Sequence, residues 1–288
     1  MEKVAIITDS NSGITQKEAE KLGIFVLPMP FIAHNEIYYE GINLSTEEFF
    51  KMLEDGVDIK TSQPAVEEVT RLWDKVLQDY DSIVHIPMSS GLSSACQTAQ
   101  MLAQDYQDRV FVVNNQRISV TQKQSAKDAL ALAEKGKSAA QIKEVLEACK
   151  FESSIYIMLD TLYYLKKGGR ITPAASALGT ALRLKPVLQI QGEKLDAYAI
   201  ARTKKQGTKK MLDALKQDII NRFGGLNRVD NLHIAVAHTQ NEEAARELRD
   251  TLLELYPNRE IVVDPLSLSV SCHIGPGSLA VACSQKIV

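Results

Sequence analysis

Short apolar runs alternate with amphipathic stretches through the first half of this 288-residue chain. Residues 4–8, 82–87 and 110–114 have the length and composition of strands that are buried in a parallel sheet. Between them, apolar residues recur at spacings of three and four, which is typical of helices with one buried face. This alternation, with short joints, predicts a layered α/β domain with a mainly parallel sheet.

The pattern changes after about residue 152. Strands are predicted at residues 154–159, 185–191, 195–201, 232–238 and 260–264, with long helices at residues 206–222 and 242–255. We therefore expect a two-domain protein. Residues 1–152 would form an N-terminal α/β domain, and residues 153–288 would form a second α/β domain that closes on a rigid loop around His273.

Composition excludes several classes of protein. The net charge of −3 gives no reason to expect nucleic acid as a partner. No stretch approaches the roughly 20 apolar residues of a membrane span, so a cytoplasmic protein is predicted. The cysteines are widely scattered, which favours buried thiols over disulfides or a zinc site: Cys96, Cys149, Cys272 and Cys283.

Two hydroxyl-rich segments, residues 60–64 (KTSQP) and 89–94 (SSGLSS), stand directly before predicted helices. Helix N-termini leave N–H groups unpaired and carry partial positive charge, so both segments could hold a carboxylate or phosphate. We place Pro64 at the first position of its helix. The ordinary alternative is N-capping, but one cap needs one hydroxyl and the second segment offers four around Gly91. A turn and a ligand-holding loop both remain open there.

Basic residues and histidines supply the other candidates. Residues 166–170 (KKGGR) fit a helix C-cap, although capping does not explain Arg170. Arg202 belongs to a basic run that is typical of a solvated helix face. His273 could donate to a carboxylate or shuttle protons, or could be an ordinary loop residue. His85 and His233 lie in apolar strands and are expected to make local hydrogen bonds, and no histidine spacing indicates a metal.

Six ordered motifs together resemble the DegV family, and they span the chain: residues 8–10 (TDS), 61–64 (TSQP), 89–93 (SSGLS), 165–171 (LKKGGRI), 185–188 (KPVL) and 273–277 (HIGPG). The resemblance implies a bacterial two-domain α/β carrier that binds a long-chain fatty acid. It further implies the acyl-binding subunit of fatty acid kinase, which presents the carboxylate to a separate kinase subunit. The product would be an acyl phosphate for phospholipid synthesis.

The same resemblance assigns roles to individual residues. Thr61 and Ser93 would hold the fatty acid carboxylate, His273 would approach it from the second domain, and Arg170 and Arg202 would face the kinase subunit. Two further residues, Ser62 and Ser94, would supply neighbouring hydroxyl or N–H donors. No catalytic residue, metal or cofactor is implied beyond the bound fatty acid, and transient membrane contact is compatible with such a carrier.

The chain departs from the usual family pattern at Gly13, Ala65, residues 94–95 and residues 114–115, but Thr61, Ser93 and His273 are present. It has no GxxxxGK[ST] loop or kinase signature, so we expect no ATP site of its own. A rival hypothesis is a serine hydrolase with Ser93 as nucleophile and His273 as base, but no GxSxG elbow surrounds Ser93. A plain anion-binding or regulatory module is a third possibility.

Overall fold

Two compact units make up the computed structural model, which describes residues 2–170, 172–176 and 184–287. The first unit runs to Lys150 and also includes Ser267–Ser269. The second unit covers the described parts of Phe151–Leu266 and Val270–Lys286. Within the described residues, no helix is long and apolar enough to cross a membrane.

Strands and helices alternate along the first unit, as the sequence predicts. Its elements are β1 Val4–Asp9, α1 Gln16–Leu22, β2 Phe25–Leu27, β3 Pro30–Ala33, β4 Glu36–Tyr39, α2 Thr46–Glu54, β5 Lys60–Thr61, α3 Val66–Val76, β6 Ser82–Ile86, α4 Ala95–Ala103, β7 Val110–Val112, α5 Ser119–Glu134 and α6 Ala139–Ala148. Two short 3₁₀ turns, Ser10–Ser12 and Gln104–Tyr106, follow β1 and α4.

A parallel sheet in the order β2-β1-β6-β7 forms the centre of this unit. Successive residues of β1 enter opposite layers, because side chains alternate across a strand. Ile6 packs in a cluster with α5 and α6, whereas Ile7 packs with α3 and α4. Burial on both faces explains why the strands are continuously apolar, and the predicted α/β fold class is confirmed.

A small antiparallel sheet, in the order β4-β3-β5, was not predicted. His34 and Asn35 join β3 to β4 with φ values of 52° and 64°, the left-handed conformation of a tight hairpin turn. Proline at the start of β3 and the exposure of much of β4 weaken the strand pattern in the sequence. This hairpin is nevertheless important, because it holds β5 and therefore Thr61.

The second unit is built on a mixed sheet in the order β10-β9-β8-β13-β11-β12. Among the described strands of this second sheet, only β11 and β12 pair in parallel. The elements are β8 Ser153–Met158, α7 Tyr163–Gly168, α8 Pro173–Ser176, β9 Lys185–Ile190, β10 Leu195–Ala201, α9 Lys204–Asn221, β11 Leu232–His238, α10 Glu242–Leu255, β12 Ile261–Pro265, α11 Leu268–Ile274 and β13 Leu279–Gln285.

Helices α9 and α10 contribute to one apolar cluster on this sheet. Met211 and Leu215 of α9 share it with Leu248 and Leu252 of α10, and Val236 of β11 lies in the same cluster. All five side chains are almost completely buried. The two long helices therefore cover the same face of the sheet.

Hydroxyl side chains cap three helices of the first unit, and two other helix starts differ from the sequence analysis. Thr15, Ser45 and Ser138 accept hydrogen bonds from the first turns of α1, α2 and α6. The position given to Pro64 is wrong, because Ala65 is the N-cap and α3 begins at Val66. Helix α9 begins at Lys204 rather than residue 206.

The end of the chain also differs from the prediction. His273 lies in α11 and not in a loop, and the chain continues into β13, which occupies the middle of the second sheet. The sequence of β13 predicts a strand less clearly than the valine- and isoleucine-rich runs do. It alternates small and apolar residues, and Ser278 and Ser284 lie near its ends.

Candidate functional site

Gln63 joins the two hydroxyl-rich segments. Its side-chain oxygen accepts hydrogen bonds from the Ser94 hydroxyl at 2.8 Å and from the Thr98 hydroxyl at 3.1 Å. Ser94 ends the second segment, and Thr98 lies one turn into α4. Segments that are about 30 residues apart in the sequence therefore meet, with an amide that the sequence analysis left without a role.

A strand, and not a helix N-terminus, positions Thr61. Thr61 lies in β5 opposite Phe31 of β3, and it is half-buried. The next residue, Ser62, is exposed and donates its backbone N–H to the Pro30 carbonyl at 3.1 Å. The N–H of Ser62 is thus not free for a ligand, and neither residue is the cap of α3.

The second segment is a tight turn that starts α4. Ser93 donates its N–H to the Ser89 carbonyl at 3.2 Å, and its hydroxyl oxygen accepts the N–H of Ala95 at 3.2 Å. Within the described residues, the Ser93 hydroxyl donates to no acceptor, so its proton can be given to a ligand. The Ser94 hydroxyl proton already goes to Gln63.

The buried carboxylate of Asp9 holds this turn in place through hydrogen bonds. Its carboxylate accepts the N–H of Met88 at 2.7 Å, the N–H of Asn11 at 2.9 Å and the side-chain amide of Gln122 at 3.1 Å. Burial raises the pKa of Asp9, and these hydrogen bonds act in the opposite direction. The carboxylate therefore ties the carboxyl ends of β1 and β6 to α5, which places the serine-rich turn.

A second support for the turn comes from the segment before α5. The carbonyl of Arg117 accepts the N–H of Ser89 at 2.9 Å, and the guanidinium donates to Ser125 at 3.2 Å. Arg117 is almost fully buried, and the preceding Gln116 has a φ of 56°. The sequence analysis missed both supports, because each acts through backbone atoms of distant segments.

A narrow apolar cavity lies behind the Gln63 contact. It has room for no more than about one water molecule. Gln63 and Thr98 border it together with Asp9, Leu27, Met29, Pro64, Val69, His85, Pro87, Ala95 and Ala99. Any elongated ligand that entered between the two hydroxyl-rich segments would have to widen this space.

His85 contributes an uncharged wall to the cavity. Burial lowers its pKa to about 4, so the imidazole is neutral near pH 7. Its ring meets the edge of Trp73, with centroids 5.6 Å apart. The expectation that His85 makes a local hydrogen bond is wrong, because neither ring nitrogen has a partner in the described part of the chain.

In the second unit, two of the motif segments, residues 165–171 and 273–277, pack together around His273. A Cβ atom at Gly168 would lie 2.1 Å from Nδ1 of His273, and one at Gly275 would lie 2.3 Å from the Tyr164 ring. Likewise, a Cβ atom at Gly277 would lie 2.7 Å from the carboxylate of Asp160. Only glycine leaves room at these positions, so α7 can pack directly against the end of α11.

The His273 imidazole is shielded and neutral near pH 7. Burial, together with the smaller effect of the positive charge of nearby Arg170, lowers its pKa to about 4. Arg170 is exposed and donates to the Gly168 carbonyl at 2.5 Å. Gly169, directly after α7, is its C-cap and has a φ of 67°, which confirms the predicted glycine C-cap.

Arg202 lies between β10 and α9 and is exposed. Its backbone N–H donates to the side chain of Gln206 at 2.7 Å, which anchors the turn before α9. The guanidinium has no partner among the residues that the structure describes. Arg202 therefore presents an exposed positive charge beside the N-terminus of α9, the longest described helix of the second unit.

The fold and these two groups of residues define a class of protein: a two-unit α/β protein whose first unit has a hydroxyl-lined site beside an apolar cavity and whose second unit holds a shielded imidazole. This chain belongs to the DegV family. The family model, described as an uncharacterised protein of the DegV family, matches residues 3–286.

Related proteins cover almost the whole chain. A DegV domain-containing protein of Streptococcus pneumoniae is 28% identical over 282 residues, which are 96% of this chain and 97% of that protein. A solved structure described as fatty acid binding of a DegV family protein from Thermus thermophilus is 28% identical, with a TM-score of 0.89 and coverage of 98% and 99%. DegV of Bacillus subtilis, described as a fatty acid binding protein, is 26% identical, with a TM-score of 0.87 and coverage of 99% and 100%.

Proposed function

We propose that this protein binds a long-chain fatty acid and presents its carboxylate to a separate kinase subunit, which forms an acyl phosphate. The observation that carries the proposal is the contact of Gln63 with Ser94 and Thr98, which brings two hydroxyl-rich segments together over an apolar cavity. Two relatives at 28% and 26% identity, each described as fatty acid binding, give independent support.

Thr61 and Ser93 would hold the carboxylate, with Ser62 and Ser94 beside them. The unused proton of the Ser93 hydroxyl suits a carboxylate oxygen, which is an acceptor only. Ser94 would act by holding Gln63, and exposed Ser62 would act at the rim. In this proposal, residues 1–152 are the carboxylate-binding domain.

Residues 153–288 would contribute His273, Arg170 and Arg202. Because the His273 pKa is about 4, its imidazole is neutral at pH 7 and carries one N–H that can donate to the carboxylate. Exposed Arg170 and Arg202 would meet the kinase subunit. The carrier would need no cofactor of its own, since the partner would bring ATP, and transient contact with a cytoplasmic membrane surface would deliver the lipid.

The acyl tail would supply most of the affinity and the carboxylate contacts would fix its direction. Burial contributes about 0.8 kcal/mol per methylene, so about 15 methylenes give a gross term near 12 kcal/mol. Ordering the chain opposes much of this term. Each hydrogen bond to the charged head adds about 1.5–3 kcal/mol. Widening the narrow cavity would cost part of the binding free energy that burial of the acyl tail supplies. Fatty acid binding and opening of the cavity would therefore be thermodynamically coupled.

Native mass spectrometry of the protein purified from cells tests the proposal directly, because a tightly held fatty acid should co-purify. A Thr61→Ala, Ser93→Ala double variant should lose most of that lipid. Thr70→Ala is the matched control, since its hydroxyl bonds only within α3. Equal lipid content in all three proteins would refute the assigned head-group site. Labelling of Ser93 by a fluorophosphonate probe would favour the hydrolase hypothesis instead.

A further inference from the structure

A large cleft separates α9 from α10 on the outer face of the second unit. Its volume is about 1040 Å³. Apolar side chains from both helices and from the turn before β11 line it, among them Leu212, Leu226, Val229, Ala244 and Leu255. Leu226 and Leu255 are 46% and 55% exposed, so apolar surface remains uncovered along the cleft.

The cleft is long and shaped like a groove. It extends along α9 from Lys204 to Lys216 and along α10 from Asn241 to Leu255. At about 1.5 Å per residue these stretches measure roughly 18 and 21 Å. An α-helix of about 12–14 residues has the same length, and grooves between helices commonly accept such a helix by its apolar stripe.

The two walls differ in charge: the α9 wall carries several lysines, whereas Glu247 lies on the α10 wall. Lys204, Lys205 and Lys216 line the α9 wall and form no ion pair with any residue that the structure describes. By contrast, Lys209 pairs with Asp213 at 2.7 Å. Positive charge in the first turn of a helix opposes the helix dipole, so the stability of α9 does not account for Lys204 and Lys205. These charges are therefore available to an external partner.

We propose that the α9–α10 groove docks an amphipathic α-helix of a protein partner, with its apolar stripe on the groove floor and acidic residues facing α9. The three unpaired lysines lie along about 18 Å and do not converge on one point. Spaced acidic side chains on a helix match that distribution better than a single anionic head group. This docking site is separate from the hydroxyl-lined site and does not depend on a fatty acid.

Two fluorescent peptides of about 14 residues test the proposal. Both carry leucines at i, i+3 or i+4 and i+7; one has glutamates on the flank and the other has lysines in their place. In fluorescence anisotropy, the acidic peptide should bind about tenfold more tightly, as three exposed ion pairs allow. Salt should weaken this preference because the charges are exposed.

Substitutions in the groove test where on the protein the two peptides bind. Combined Lys204→Glu, Lys205→Glu and Lys216→Glu substitutions should reverse the preference, so that the lysine peptide binds more tightly. Leu255→Lys should weaken the binding of both peptides. Lys210→Glu, which lies outside the cleft, should change the affinity of neither peptide. Leu255 is already exposed, so this substitution should leave the fold intact. Equal binding of the two peptides, no binding, or insensitivity to the groove variants would overturn the proposal. Binding of decanoate in the groove, with no binding of either peptide, would also overturn the proposal.

Discussion

Gly168 and His273 approach so closely that a Cβ atom at residue 168 would lie 2.1 Å from Nδ1 of the imidazole. Gly168 ends α7 and His273 lies near the end of α11, so two motifs that are about 100 residues apart form one packing unit. The position of the imidazole therefore depends on the absence of a side chain at residue 168.

Replacing Gly168 with alanine should displace His273 while leaving its chemistry unchanged. The proposed hydrogen bond from the imidazole to the carboxylate would be lost, and such a bond is worth about 1.5–3 kcal/mol. We therefore expect fatty acid affinity to fall at least about tenfold. Isothermal titration with palmitate measures the effect, and NMR of the His273 ring reports the displacement.

Gly169→Ala is the matched control. Gly169 has a φ of 67°, and a Cβ atom there would meet nothing within 4 Å. The variant should lose about 1 kcal/mol of stability from backbone strain, with the imidazole still in place and palmitate affinity nearly unchanged. If both variants lost affinity equally, backbone stability and not the position of His273 would explain the effect.

The contact between Gln63 and Ser94 should appear as a coupling energy. We expect Gln63→Ala and Ser94→Ala to be non-additive by about 0.5–1.5 kcal/mol, the net value of one hydrogen bond. Urea unfolding of both single variants and the double variant gives this number. Additivity within about 0.3 kcal/mol would show that the two segments are held together by other contacts.

Much of the first unit could be predicted from the sequence because its strands are buried on both faces. Ile6 and Ile7 enter different layers, so neither can be polar, and the strand appears as an unbroken apolar run. The hairpin that carries Thr61 could not be predicted in this way. Ile32 and Ile37 lie opposite each other on exposed surface, so burial does not impose a pattern there.

The candidate site could be predicted only as residue types in two segments. Thr61 and Ser93 are visible because hydroxyls cluster around them. The residues that position them, Gln63, Asp9 and Arg117, act across distances of about 30 to 110 residues in sequence, through single hydrogen bonds. Such pairings leave no periodic signal, so a single sequence does not contain the information needed to find them.

Glu40 should make stability depend on pH. Its carboxylate accepts the N–H of Leu268 at 3.0 Å, and burial raises its pKa from the ordinary 4.5 to about 7. Because the folded state binds this proton more tightly, the stabilisation is complete below pH 4.5 and is lost as pH rises through 7. The full shift corresponds to about 3 kcal/mol, and partial solvent access reduces the expected loss to about 2 kcal/mol.

Glu40→Gln isolates this contribution, since the amide oxygen can still accept from Leu268 but does not ionise. The difference in unfolding free energy between wild type and variant, measured in urea from pH 4 to pH 8, should move by about 2 kcal/mol in favour of the variant. A difference that stays constant over this range would mean that folding does not change the pKa of Glu40.

Arg170 and Arg202 should affect transfer to the kinase subunit and not lipid binding. Both side chains are exposed, and exposed charges at the edge of an interface act mainly on the association rate. We expect Arg170→Ala and Arg202→Ala each to slow acyl phosphate formation by about tenfold at limiting kinase, with palmitate affinity within about twofold of wild type. Arg246→Ala, which removes an exposed charge from α10 at an i,i+4 pair with Glu242, is the control and should change neither quantity.

Arg170 and Arg202 should differ in their effect on the pKa of His273. Because the charge of Arg170 lowers the pKa of His273, only Arg170→Ala should raise that pKa in an NMR titration. Loss of palmitate binding in either variant would place that arginine at the lipid site. The proposal that it contacts the kinase subunit would then be rejected.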